Sequence, residues 1–288
     1  MKQYIVVRQL HVRAANAISS SITYGFPAVT AFTGFAHALQ RHFNLAAGGN
    51  NFHVEGVGIV SHQFEMLDHQ SGYNRCLQLT ANPLNEKGER ASFVEEGRCH
   101  MAVSLILEVT GLHDGSSDLQ KIADIIFSKM KLAGGDLLSP PIVEFLEDEP
   151  KSLRRLMPGY VLMERRDLMV ASMNEGQDAL QALHSHLSIQ YRSITEEDGQ
   201  VNWYASRQNP GWIIPIAVGF HAISPPGAAS QSRDNSTPHR FAETIVTLGE
   251  FVLVSRIESL KDIMWRYRYG NDIYACVQES QFHTSNEI

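Results

Sequence analysis

The hydrophobic pattern of the first 145 residues runs strand, helix, strand, strand, helix, strand, and few folds accommodate that order. The opening run Tyr4-Ile5-Val6-Val7-Arg8-Gln9-Leu10-His11-Val12 is β-branched and apolar at first and alternates afterwards, as a strand central to a sheet does near its end. After a polar loop from Asn16 to Thr23, Gly25-Phe26-Pro27 leads into Val29, Phe32, Phe35, Ala36, Leu39 and Phe43. Their three- and four-residue spacings predict an amphipathic helix with Pro27 in its first turn. Gly48-Gly49 ends that connection, and Gly56 to Met66 and Cys99 to Val109 predict the second and third strands. Between them, Asn82-Pro83-Leu84-Asn85 and Lys87-Gly88 read as the tip of a long hairpin. Leu119, Ile122, Ile125, Ile126 and Met130 share one helical face, Gly134-Gly135 breaks that helix, and Leu137 to Val143 predicts the return strand. This order is the split-βαβ, ferredoxin-like arrangement, in which two helices cover one face of a four-stranded antiparallel sheet.

The expected fold class is therefore α+β: a ferredoxin-like, RNA-recognition-like domain over residues 1–145 with a hairpin insertion near 67–97. An irregular α/β extension over 146–288 would pack on it. In that extension we expect strands at Gly159 to Glu164 and Trp212 to Val218, and helices at Gln177 to Leu187, Arg240 to Val254 and Ser259 to Tyr267. Pro225-Pro226-Gly227 through Thr237-Pro238 reads as a polar loop. An apolar fraction of 43% in 288 residues is enough for a sizeable core.

No run of about 18 apolar residues occurs, and the N-terminus lacks the basic and apolar regions of a signal peptide, so the cytoplasm and no membrane are expected. Three scattered cysteines, Cys76, Cys99 and Cys276, indicate reduced thiols rather than a disulfide framework or a zinc site. The net charge of -7 argues globally against nucleic acid, but its distribution does not. From Met1 to Val54 there is no acid, while Lys2, Arg8, Arg13 and Arg41 stand there with His11, His37, His42 and His53. Chance asymmetry explains this as well as function does. Acid gathers at Glu144, Glu147, Asp148 and Glu149, a solvated or partner-facing surface.

Serine-hydrolase, P-loop and zincin motifs are absent, which leaves those activities, and any cofactor or metal, without support. His184-Ser185-His186 is no chelating pair, because helical residues two apart point to different sides. Thirteen histidines keep a metal-independent ribonuclease open. No acid and base pair is identifiable, and His37, His11, His62 and His100 read first as structural histidines. The loop from Asn16 to Thr23 offers an amide and hydroxyls suited to phosphate, or simply a cap. Leu132-Ala133-Gly134-Gly135 suits close backbone approach to a ligand, or a helix stop. Trp265-Arg266-Tyr267-Arg268-Tyr269 suits base stacking, or a helix end with its aromatics in the core. The third strand lacks the aromatic pattern of RNA-recognition domains, so bound RNA would meet loops, arginines and the hairpin rather than a sheet platform.

Several stretches together carry a resemblance. Asn16-Ala17-Ile18-Ser19-Ser20, Gly25-Phe26-Pro27 and Thr33-Gly34-Phe35-Ala36-His37-Ala38-Leu39-Gln40-Arg41 resemble the Csy-two family of type I-F CRISPR subunits. So do Glu55-Gly56-Val57-Gly58-Ile59-Val60, Val94-Glu95-Glu96-Gly97-Arg98, Arg154-Arg155-Leu156-Met157-Pro158-Gly159-Tyr160 and Gly211-Trp212-Ile213-Ile214-Pro215. They run in order along nearly the whole chain. The resemblance implies a non-catalytic Cas-five-type member of the RAMP superfamily that pairs with the large subunit to hold the 5′ handle of the guide RNA. The backbone subunit, and target DNA near the PAM, are further implied partners. Asn16, Ser19 and Ser20 are the implied handle contacts, and Arg41, Arg98, Arg154 and Arg155 the implied phosphate contacts. The hairpin near Asn82 to Arg90 is assigned to the guide or the backbone subunit. Ser21 departs from an expected proline, and the segments at 142–151 and 192–202 are shorter than usual in the family. The alternative is a RAMP-type endoribonuclease that cuts precursor guide RNA without metal.

Overall fold

A computed structural model describes residues 2–49, 51–80, 84–90, 92–113, 116–147, 150–196, 199–229, 234 and 236–279. One ten-stranded antiparallel sheet organises them. Its first half is built from β1 (Gln3–Asn16), β2 (His53–Met66), β3 (Arg98–Thr110), the short β4 (Asp136–Leu137) and β5 (Ile142–Leu146). β3 lies between β1 and β2, and both β4 and β5 pair with the outer edge of β1. The helices α1 (Val29–Ala47) and α2 (Ser116–Lys129) contribute Phe32, Leu39, Phe43, Ile122 and Ile126 to the larger core, which lies on one face of this half-sheet. Pro27 stands before the N-cap Ala28 rather than within the first turn, and Gly48 closes the helix in a left-handed conformation.

β1 keeps Ile5, Val7, Leu10, Val12 and Ala15 in the helix-side core although strict alternation fails after Val7 and after Val12. Two β-bulges correct the phase, at Gln9 and at Ala14, both with positive φ. Each bulge is held by a side chain of β3: the Gln9 amide donates to Ser104 Oγ (3.0 Å) and the Ala14 amide to His100 Nδ1 (3.1 Å).

The second half extends the same sheet through β6 (Tyr160–Glu164), β7 (Ile213–Ala222), β8 (Ala242–Leu253), β9 (Trp265–Gly270) and β10 (Ile273–Gln278). The order from β2 is β2-β6-β8-β7-β10-β9, and a bridge between Trp265 and Val57 returns the path to β2. Gly56 and Gly58 allow that return, since a Cβ on either would stand about 3 Å from Met264 or Ile263. Helices α3 (Pro150–Leu153), α4 (Arg166–Asn174) and α5 (Ala179–Leu187) and a two-stranded ribbon, Gln190–Thr195 with Val201–Ser206, belong to this half as well. α3 and the turns after it cover part of the sheet face opposite α1 and α2, where Val6, Val60 and Ile106 meet Leu153, Leu156, Val254 and Leu260.

Two expected helices are corrected. Residues 242–253 are strand β8, because Thr244-Ile245-Val246-Thr247 is β-branched and pairs with β7, and Gly249 to Leu253 pair with β6 as well. The segment at 259–267 is a short 3₁₀ turn, Leu260–Ile263, followed by β9. Its Trp-Arg-Tyr-Arg-Tyr pattern has period two: Trp265 is buried, Tyr267 stacks on Tyr274, and Arg266 and Arg268 pair with Glu108 and Glu279. The loop at Asn16 to Thr23 contains a two-stranded ribbon, Ile18–Ser20 with Thr23–Tyr24. The connection from β2 to β3 holds two short ribbons, Asp68–Ser71 with Asn74–Leu77 and Leu79–Thr80 with Val94–Glu95. Asn82 and Pro83 of the expected tip, and Asp148 and Glu149 of the acidic run, lie outside the described residues. Burial pushes the thiols of Cys99 and Cys276 up to about 12 and about 11, so both stay protonated, while Cys76 is half-buried.

Candidate nucleic-acid interface

The sheet face opposite α1 and α2 is only partly covered, and the open part is basic. Arg8, His11 and Arg13 of β1 face it, with Gln63 and Glu65 of β2 and His100 and Ser104 of β3. His11, Arg13, Gln63, Glu65, His100 and Leu138 line a continuous trough there. The bulges of β1 turn its polar residues to this side while its apolar residues stay in the core.

At one edge of the face the segment after α3 is pinned in place. His62 Nδ1 bonds the Pro158 carbonyl (2.7 Å) and Nε2 bonds Ser104 Oγ (2.7 Å), the same hydroxyl that accepts from Gln9. Burial holds the His62 imidazole below its ordinary 6.5, and electrostatic repulsion from the Arg8 and His11 side pushes the same way against the Pro158 bond. The ring is thus a neutral relay between two chain segments. Its contribution to stability is complete above pH 6.5, the unfolded value, and is lost as pH falls through the lowered folded value. Urea midpoints measured from neutral to acid pH should therefore fall, and fall less steeply in His62→Gln.

The same relay places Arg154 and Arg155 beside Arg8, whose guanidinium donates to the Arg155 carbonyl (3.1 Å) and pairs with Glu144 (3.2 Å). Both Arg154 and Arg155 side chains are exposed and make no ion pair among the described residues, whereas the charge of Arg13 acts on the carboxylate of Asp136, its partner across the strands.

At the far end of β1, Asn16 pairs with Arg98. The Asn16 amide N–H donates to the Ala133 carbonyl (2.8 Å), and the Arg98 guanidinium reaches the Ala14 carbonyl (3.4 Å) and Glu96 (2.5 Å). The turn Leu132-Ala133-Gly134-Gly135 comes close to backbone here, that of β1: a Cβ on Gly135 would lie 2.7 Å from the Arg13 carbonyl oxygen. Asn16 and Ser20 shape their own loop. Asn16 Nδ2 donates to the Ile18 carbonyl (2.7 Å), and Ser20 Oγ meets Thr23 Oγ1 (2.7 Å). Ser19 Oγ is buried without a hydrogen-bond partner among the described residues. Asn16 and Arg98 thus share a corner, with Ser19 and Ser20 in the ribbon that follows Asn16. Arg41 stands apart, near Gly48 and His53. His53 pairs with Thr110, the opposite end of β3 from Arg98, roughly 40 Å away at strand rise.

The family described as CRISPR-associated protein (Cas_Csy2) matches this chain over residues 5–276. The protein named CRISPR-associated protein Csy2 from Pseudomonas aeruginosa is 36% identical over 307 aligned residues, covering 93% of this chain and 92% of that one. This chain belongs to the Csy2 family of CRISPR-associated proteins. Its Csy2-family fold exposes basic residues that the site assignment from sequence passed over: Arg8 and Arg13 were legible only as part of an acid-free N-terminus. Their signal is the phase break in β1's alternation. The histidines separate by burial. His186 is buried against Ser172 while His184 is exposed, and His37 and His11 are exposed rather than structural. Among the described residues no three His, Cys, Asp or Glu side chains converge as metal ligands, and no helix is long and apolar enough to cross a membrane.

Proposed function

We propose that this Csy2-family chain is a non-catalytic RNA-binding subunit of a type I-F CRISPR effector complex. With the large subunit it holds the 5′ handle of the guide RNA. The observation that carries the reading is the open basic sheet face, where Arg8 lies beside Arg154 and Arg155 while His11 and Arg13 follow it along β1 on the same side. Such a row of basic side chains suits a phosphate backbone, since each phosphate that an arginine neutralises releases counterions. The strand order β5-β1-β3-β2, with α1 and α2 on one face, supports a ferredoxin-like RAMP core in residues 1–145, extended by 146–288. The connection at 67–97 is left to face the backbone subunit. A non-catalytic role is supported by the engagement of His62 through both ring nitrogens and of His100 through Nδ1. General acid and base work needs nitrogens that can reach a 2′-hydroxyl and a leaving oxygen.

Coexpression with the large subunit and a guide RNA, followed by purification on a tag on this chain, tests the reading. A stoichiometric heterodimer carrying uncut, handle-containing RNA is expected. RNA cut within the repeat by this chain alone in chelator would replace the reading with the ribonuclease one.

A further inference from the structure

Beside the basic face, the sheet forks. β6 pairs with β2 only at Val60 and Ser61, and over Gln63–Met66 the described residues offer β2 no partner but β3. The fork leaves a cleft of about 280 Å³. Its rim carries four aromatic side chains that are far from buried: Tyr24 at 57%, Phe64 at 40%, Tyr160 at 38% and Trp212 at 56% exposure. Phe251 and Phe26 support them from within. Trp212 lies 5.3 Å from Phe251 and 5.7 Å from Tyr160, and Phe26 lies 5.2 Å from Phe251 and 5.8 Å from Phe64, centroid to centroid. Gln63 and Phe64 line both this cleft and the basic trough, so the two adjoin across the open edge of β2.

Exposing this much aromatic surface at one point is unfavourable unless something covers it. The occupant is selected by the surroundings. A flat π-system fits between splayed rings, the unpaired edge of β2 and the Gln63 amide supply hydrogen-bonding groups, and the cations alongside favour a polyanionic chain over an apolar peptide. We propose that this cleft takes one unstacked base of the guide RNA, stacked on Trp212 and Tyr24, while the flanking phosphates lie on the Arg8 to Arg13 face. The proposal rests on the RNA-binding reading above and adds a place where a single nucleotide is drawn out of the strand.

The test uses the full chain in its RNA complex and a guide RNA transcribed to carry, one position at a time, 2-aminopurine or an abasic site. Stacking quenches 2-aminopurine. One position should be quenched on binding, and Trp212→Leu with Tyr24→Ala should relieve that quench. Leucine keeps apolar contact with Phe251 and Tyr160, so the fold is retained and only the π-face is lost. The same variant should bind intact RNA about 5- to 150-fold more weakly, the range for base stacking on an aromatic side chain. With RNA abasic at the quenched position, variant and wild type should bind alike. Equal affinity and equal quenching in variant and wild type would overturn the base site while leaving RNA binding intact. A loss of affinity that is the same for every abasic RNA would overturn it too, as would loss of a copurifying protein with RNA affinity unchanged. Failure of the wild-type complex to hold RNA would remove the RNA-binding reading itself and the base site with it.

Discussion

Replacing Trp265 by alanine is expected to lower the unfolding free energy by about 3–5 kcal/mol, the range for deleting a fully buried large aromatic side chain. Trp265 has no exposed surface, belongs to the main core, and closes the sheet by pairing with Gln278 on one side and Val57 on the other. Its indole Nε1–H donates to the Leu162 carbonyl (3.0 Å). That carbonyl also accepts from Gln278 Nε2, so it is not orphaned by the change. The cost is therefore chiefly a cavity, together with loss of the closure between β9 and β2. Trp265→Phe keeps most of the ring and loses the indole bond, and should cost about 1–2 kcal/mol. Urea unfolding of both variants measures the difference. If Trp265→Ala unfolds at the wild-type midpoint, β9 is not packed against the core as described.

The second large effect concerns RNA. Removing both guanidinium groups in Arg154→Ala, Arg155→Ala should weaken guide-RNA binding by about tenfold for each phosphate contact at 0.1 M salt, and shallow the salt slope by about two units. The loss should be uniform across RNA sequences, because phosphate contacts carry no base information. Stability should hold, since the bond from Arg8 is made to the Arg155 backbone carbonyl and survives the substitution. Arg41→Ala, at the other end of the sheet, serves as the comparison and should leave both affinity and slope unchanged. Titrations at several salt concentrations decide between them. An unchanged slope in the double variant would remove this pair from the RNA path.

The two predictions differ in how legible their sites are along the chain. Arg154 and Arg155 stand out as adjacent cations, whereas Trp265 sits in an alternating basic and aromatic stretch that was open to a stacking role or a helix end. What separates the readings is the partner strand. The alternation has the period of a strand, and β9 becomes one because β10 and Val57 are there to pair with it. Residues 242–253 misled for the same reason. Their apolar residues are dense enough to suit a buried helix or a strand paired on both edges, and periodicity alone does not divide the two.

The loop at Asn16 shows the converse. Its polar composition suggests a ligand site, yet its amide and two of its hydroxyls, those of Ser20 and Thr23, are used to hold the turn, because a short ribbon leaves backbone groups that the nearest side chains satisfy. The aromatic cleft was not legible at all. Tyr24, Phe64, Tyr160 and Trp212 come from four distant segments and meet only where β2 and β6 part.

The expected return strand at Leu137 to Val143 is instead two short strands, β4 and β5; apart from it, the sequence by itself determined the elements of the first half, the two helix faces that cover its sheet and, through stretches spread along the chain, the family. These are properties of local period and of residue order, and they need no knowledge of distant partners. Tertiary structure alone decided the course of the last three strands, the separation of Arg41 from the other arginines, and the side to which Arg8 and Arg13 turn. Each depends on pairing between residues far apart in the chain: a bulge in β1 exists only because Ser104 and His100 of β3 hold the amides that break the alternation.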